Sequence, residues 1–237
     1  ASGRRAFAVY TGTLNLINSK ETGGIEMPGI LSATGGIIYS KKGNINMNNI
    51  TIKRTATSAV TAVSGGILGF NAGSYVFENC VFDATEAASV KTGGVMYLVA
   101  GAQVVSNNCQ YLGGKAVDAA STDDKGGNIH ILAGTFTMNG GLISGGYTPY
   151  YGGNVCLGGG GATFIMNDGI IENGSAQKDE NHTAAPRGSN LYIYAGDFIM
   201  NGGQIREGAK SSVNGASVYI QSISTAYFYM NGGEISH

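Results

Sequence analysis

The chain repeats itself. The stretch from Thr135 reads TFTMNGGLI, and close copies follow as TFIMNDGII from Thr163, DFIMNGGQI from Asp197 and YFYMNGGEI from Tyr227. Taking the aromatic second letter as marker gives Phe136, Phe164, Phe198 and Phe228, spaced 28, 34 and 30 residues apart. Weaker copies precede them, with markers at Leu14, Ile45, Tyr75 and Val104, so eight units cover the chain. A repeat of this length cannot bury its apolar face alone. It buries it by stacking on its neighbours, which makes a solenoid.

Each unit contains three short segments in which apolar and polar residues alternate, such as Ile129-His130-Ile131, Phe136-Thr137-Met138 and a third centred on Ile143. Period-two alternation is the signature of a strand, and no useful helical period is present. The fold class expected is all-β, a right-handed parallel β-helix with three sides, eight coils of about 30 residues and no significant α-helix. At about 4.8 Å per coil the rod would be roughly 40 Å long. Residues 1–237 read as one domain, excerpted from a longer protein, because no cap is evident at either end.

The turn after the second strand is the most restricted part of the repeat. Its first position holds Asn48, Asn107, Asn139, Asn167, Asn201 and Asn231, with Ile17 and Glu78 as exceptions. Stacked Asn side chains hydrogen-bond along such a rod. The next position holds only Asn, Asp or Gly (Asn18, Asn49, Asn79, Asn108, Gly140, Asp168, Gly202, Gly232), the residues that tolerate a left-handed backbone. One left-handed bend per coil at this position is therefore expected. An Asn ladder beside such a bend resembles the pectate-lyase-like right-handed β-helix superfold, and the MNGG repeats resemble Gly-rich β-helix segments of bacterial surface proteins and adhesins. The resemblance implies an architecture. That superfold hosts lyases, hydrolases, tailspikes and adhesins, so function has to come from a site.

The inferred register points Ile129, Ile131, Phe136, Met138 and Ile143 into the core, and likewise Leu191, Ile193, Phe198, Met200 and Ile205. The outward row of the first strand then reads Ala8, Tyr39, Gly69, Tyr97, His130, Cys156, Tyr192 and Tyr219. Tyr10 and Tyr194 lie near its edge. Tyr39, Tyr97, His130, Tyr192 and Tyr219 are the candidate ligand-binding residues, since exposed aromatic rows stack on sugar rings or anchor proteins. Strand propensity, or a loop lying over the row, would account for the same tyrosines. The outward row of the second strand runs from Asn15 and Asn46 through Val76, Val105, Thr137, Ile165 and Ile199 to Tyr229, and its apolar part suggests a covered or contacting face.

Chemistry is sparse. β-Helix hydrolases need paired acids on an outward face, yet Asp197 and Glu234 stand one per coil. No catalytic residue, cofactor or metal ion is therefore expected. The acids cluster instead in loops, at Asp123-Asp124 and Asp179-Glu180, two carboxylates being too few to hold calcium alone. The longest loop, 173–188, carries Lys178, His182 and Arg187. Glu172 and Arg206 are placed to pair across coils. Cys80 and Cys109 share a register position in adjacent coils, which leaves a disulfide and two buried thiols both open.

With 14 basic and 15 acidic residues the net charge is −1, which offers nucleic acid no basic face. No apolar run reaches the ~20 residues of a membrane span. The function expected is a non-enzymatic extracellular adhesin or display module, on a bacterial cell surface, contacting a glycan or surface protein through the tyrosine row. The alternatives are a carbohydrate-active enzyme with its chemistry in loop 173–188, and a purely structural stalk or filament unit. Flanking domains or end-to-end stacking are the partners expected at the uncapped ends.

Overall fold

The computed structural model describes residues 4–19, 23–30, 33–118, 125–182, 185–209, 217–221 and 225–236. It is an all-β parallel solenoid of about seven turns of ~30 residues. The eight markers stack without a slip: Leu14 on Ile45, then Tyr75, Val104, Phe136, Phe164, Phe198 and Phe228. No helix occurs among the described residues. The Asp123-Asp124 pair lies outside them.

Inward positions follow the expected register. The ten core residues of the Phe136 and Phe198 coils are all fully buried. Aromatic rings continue the stack from coil to coil, with Phe136–Phe164, Phe164–Phe198 and Phe198–Phe228 centroids 5.0, 4.8 and 5.1 Å apart. These offset contacts add a directional term to burial.

In the middle coils the short strands fuse. All three merge in Ile129–Ser144 and Val155–Glu172, and two merge in Ala102–Leu112 and Leu191–Met200. At the corners the register shifts, as between Ile131 and Ala133 and between Asn139 and Leu142, so the backbone bends through local bulges. Short extra strands, Ala33–Thr34, Val60–Ser64 and Val90–Thr92, form a side sheet that the repeat did not announce.

The Gly-Gly pair that opens most coils has two separate causes. Its first member takes a left-handed φ at Gly35, Gly65, Gly93, Gly126 and Gly152, as does Gly188 ahead of Ser189. Its second faces the carbonyl of the coil above: a Cβ at Gly36, Gly66, Gly94, Gly127 or Gly153 would lie 2.0–2.3 Å from that oxygen. One position needs the conformation, the other needs the missing methyl.

Behind that pair lies a polar ladder inside the rod. Asn128, Asn154 and Asn190 are fully buried. Asn154 donates to Asn190 Oδ1 at 2.8 Å and to the Glu172 carbonyl at 2.7 Å, and accepts from Asn128 Nδ2 at 2.8 Å and from the Gly146 N–H at 2.9 Å. Both donors and both lone pairs of the amide are used. Asn190 ends the run on Ser217 Oγ at 2.9 Å. The equivalent places in the earlier coils hold Ile37, Ile67 and Val95, all fully buried.

The left-handed bend is only partly where the sequence placed it. Asn49, Asn79, Asn108 and Gly140 have positive φ, but in the last three coils the bend moves one residue on, to Gly169, Gly203 and Gly233. A glycine at the next position lets the turn relax there, and Asp168 is spared a strained backbone. Asn18 is also outside the left-handed set.

Candidate functional site

The outward row of the first strand forms in full register: Ala8 on Tyr39, Tyr39 on Gly69, Gly69 on Tyr97, Tyr97 on His130, His130 on Cys156, Cys156 on Tyr192, Tyr192 on Tyr219. It is not an open wall. Tyr192 is 2 % exposed and His130 6 %, Cys156 is fully buried, and Tyr39, Tyr97 and Tyr219 are half-buried.

The reason is the segment that precedes each glycine pair, which folds over the row of the following coil. A Cβ on Gly69 would meet the backbone of Gly35 at 2.3 Å, and one on Gly65 would meet Tyr97 Cβ at 3.1 Å. Further along, Tyr151 stacks on Tyr192 at 4.7 Å, and the Arg187 guanidinium lies 5.2 Å from the Tyr219 ring centre. The row is thus the floor of an inner layer. Tyr10, at 59 % exposed, and Tyr194, at 37 %, are the open aromatics beside it. The Arg5 guanidinium lies 4.9 Å from the Tyr39 ring, and Lys125 Nζ 5.4 Å from that of Tyr194.

His130 has a definable tautomer. The Thr92 hydroxyl donates its one proton to the Lys125 carbonyl at 2.7 Å, and the same oxygen is 2.6 Å from His130 Nδ1. The proton of that second bond must come from the ring, so Nδ1 carries it and Nε2 is bare. Nε2 is buried without a hydrogen-bond partner and faces Gly158, where a Cβ would sit 2.3 Å from it. Burial, with the nearby Lys125 charge adding to it, pushes the imidazole pKa down to about 3. The residue is a neutral packing group.

Cys80 and Cys109 are register neighbours as expected, and both are buried thiols. The Cys80 N–H donates to Cys109 Sγ at 3.3 Å. Hydrogen bonding from Cys80 draws the Cys109 thiol down, while the same bond and burial hold Cys80 up.

The 173–188 loop is more than a solvated tether. His182 is 1 % exposed; its Nδ1 contacts the Asp179 carboxylate and its Nε2 is 3.2 Å from the Asp118 carbonyl, two coils below. Although burial acts to raise Asp179, the hydrogen bonds from His182 and from the Asn181 N–H hold it below the usual carboxylate range. Arg206 Nε and Glu172 Oε2 pair at 2.9 Å, as their spacing foretold.

The second-strand face is the open one. Three outward columns run along it. The first reads Ser74, Gln103, Thr135, Thr163, Asp197, Tyr227; the second reads Val76, Val105, Thr137, Ile165, Ile199, Tyr229. Val76, Tyr227 and Tyr229 are 41 %, 51 % and 47 % exposed, and the two tyrosine rings lie 6.0 Å apart at 23°. The third column is the Asn ladder. Asn139 donates to Asn107 at 2.9 Å, Asn167 to Asn139 at 2.7 Å, Asn201 to Asn167 and Asn231 to Asn201 at 2.8 Å each. Glu78 joins it by accepting from Asn48 Nδ2 at 2.7 Å.

Beside this ladder lies a groove of about 520 Å³, running from Asn108 in the fourth coil past Gly140, Asp168 and Ile170 to Gly203 and Gln204 in the seventh. Its elongation follows from the repeat: the same glycine turn recurs in each coil, so one dent becomes a channel. The signal was in the sequence as the MNGG turn, but a groove needs neighbouring turns brought side by side. No group of three or more His, Cys, Asp or Glu able to hold a metal occurs among the described residues. Comparisons with protein-family models, curated proteins and solved structures give no match, so site chemistry alone bears on function.

Proposed function

We propose that the chain is a non-enzymatic binding or display module of an extracellular bacterial surface, contacting a glycan or a protein through its long faces. The observation that carries this reading is the open second-strand face, where three columns of side chains are held in register over six coils. Val76, together with the half-buried Val105, Ile165 and Ile199, leaves apolar surface there in contact with water. Periodic surfaces of this kind suit repeating or extended partners.

The tyrosine row of the first strand contributes through its half-buried members, Tyr39, Tyr97 and Tyr219, with Tyr10 and Tyr194 beside them. His130 and Tyr192 support it from beneath. On the second-strand face the acids among the described residues are Glu78, which accepts from Asn48, and Asp197, between Thr163 and Tyr227; they sit in separate, non-adjacent coils, where paired hydrolysis chemistry would need two together.

The test is binding of the purified chain to immobilised glycan and extracellular-protein panels, without and then with calcium. Selective binding to either panel supports the reading. Silence on both panels, with the protein folded, overturns it in favour of a structural stalk. The double variant Tyr97→Ala, Tyr219→Ala should weaken binding by fivefold or more if the first-strand row takes part.

A further inference from the structure

We infer that the groove beside the Asn ladder is the seat of a linear, neutral glycan lying along the rod. This rests on the binding-module reading and names its site and ligand class. The groove crosses four coils, from Asn108 to Gly203 and Gln204. Three coil spacings give about 14 Å, enough for a few sugar rings in line.

The chemistry of its walls selects the class. The lining itself holds the amides of Asn108 and Gln204, and the stacked Asn ladder, exposed at Asn167 and Asn201, runs beside it in the same turns. Each ladder amide spends one N–H and one lone pair on its neighbours, as in Asn201, which donates to Asn167 and accepts from Asn231. One donor and one acceptor per Asn remain, repeated at every coil. Paired donors and acceptors at a constant spacing are what rows of sugar hydroxyls require. Gln204 adds a further amide and Ile170 an apolar contact.

Charge narrows it further. Asp168 is the one ionisable residue lining the groove among those described, and its Oδ1 already accepts the Gly169 N–H at 2.7 Å. Among the described residues no cation lines it; Arg206, which donates to Gln204 Oε1 at 3.0 Å, is already paired with Glu172 at 2.9 Å, and the Asp168 carboxylate would repel a uronate or sulfate chain. A peptide would dock by adding a strand to a free edge. The groove offers no such edge, because its glycine backbones abut neighbouring coils: a Cβ on Gly203 would lie 2.5 Å from the Gly169 carbonyl.

The experiment uses the whole chain with soluble β-glucan, galactomannan and dextran, polygalacturonate as the charged counterpart, and an unstructured peptide. Affinity electrophoresis screens them, and calorimetry with derived oligosaccharides follows. Two groove-filling variants, Gln204→Trp and Ile170→Trp, are compared with Lys91→Ala, an exposed change on the side sheet, all checked for unchanged circular dichroism and melting. The expected result is binding of at least one neutral glycan, weakened tenfold or more by either groove variant and by less than twofold in Lys91→Ala. Neutral-glycan binding that both folded groove variants retain overturns the groove while leaving the binding-module reading intact. Groove-dependent binding that favours polygalacturonate or the peptide overturns the ligand class. Silence towards every glycan overturns this inference, and the wider reading falls with it only if the protein panel is silent too.

Discussion

Three buried polar residues decide different things. Asn154 is stabilising because all four of its hydrogen-bonding positions are filled. Replacing it by Leu would orphan the Gly146 N–H inside the rod and leave the Glu172 carbonyl only the 3.4 Å bond from the Gly145 N–H. An orphaned group costs about 1–3 kcal/mol and each further lost bond about 1 kcal/mol, so Asn154→Leu should lose about 2–5 kcal/mol in a denaturant titration. Arg54 is the opposite case. It is 2 % exposed, its Nη1 bonds only the Ala88 carbonyl at 2.5 Å, Nη2 has no partner, and burial lowers its pKa to about 10. A buried cation with no counter-charge among the described residues is destabilising, and Arg54→Met should leave stability unchanged or raise it by about 1–3 kcal/mol. A loss on the same titration would show that the guanidinium has a partner role. His130 adds a pH dependence. Its folded pKa, about 3, lies below the ordinary 6.5. Between those values the unfolded chain binds the extra proton, so its contribution is complete above pH 6.5 and declines as pH falls towards 3, by up to about 1.4 kcal/mol per unit. Thr92, Lys125 and Tyr97 are the polar and charged neighbours it meets. The slope over this window should flatten in His130→Gln, measured by denaturation midpoints against pH.

At the scale of the element, the glycine pair governs how closely coils approach. The second member of the pair touches the next coil's backbone, not a side chain, so no rotamer change can make room. Gly127→Ala would place its methyl 2.0 Å from the Gly153 carbonyl. The two coils would have to separate locally and give up ladder bonds, at a cost of about 3 kcal/mol or more. An alanine at Gly160, where a Cβ meets nothing within 4 Å, is the matched control and should move stability by less than about 1 kcal/mol. Equal melting temperatures for the two variants would remove the close-approach explanation.

For the whole molecule, the rod's stability is distributed through nearest-neighbour coil interfaces. Phe198, Met200 and Ile205 are fully buried, whereas their stacking partners in the last coil are not: Phe228 is half-buried, and Met230 and Ile235 are 50 % and 42 % exposed. Taken by itself, 1–237 therefore offers water the apolar side chains of its last described coil, which favours association. Purified 1–237 should show concentration-dependent association in sedimentation velocity, reduced by Met230→Lys with Ile235→Lys. A monomer at every concentration would mean that the exposed slice is too small to act.

Much of this was legible from the letters. The markers, the core rows, the Asn ladder and the Glu172–Arg206 pair all follow from one periodicity, because a stacked parallel repeat turns sequence spacing directly into contact. What the sequence could not settle were matters of the third dimension. Whether Tyr192 and His130 face water depended on where the segments before the glycine pairs lay, and those segments vary in length and share no motif. The inner ladder of Asn128, Asn154 and Asn190 was hidden because a buried Asn reads as a loop residue until its four partners are in place. The groove, likewise, belongs to no single coil. Repetition determined the register, and the irregular segments, through burial and local hydrogen bonding, determined which columns remain open to a partner.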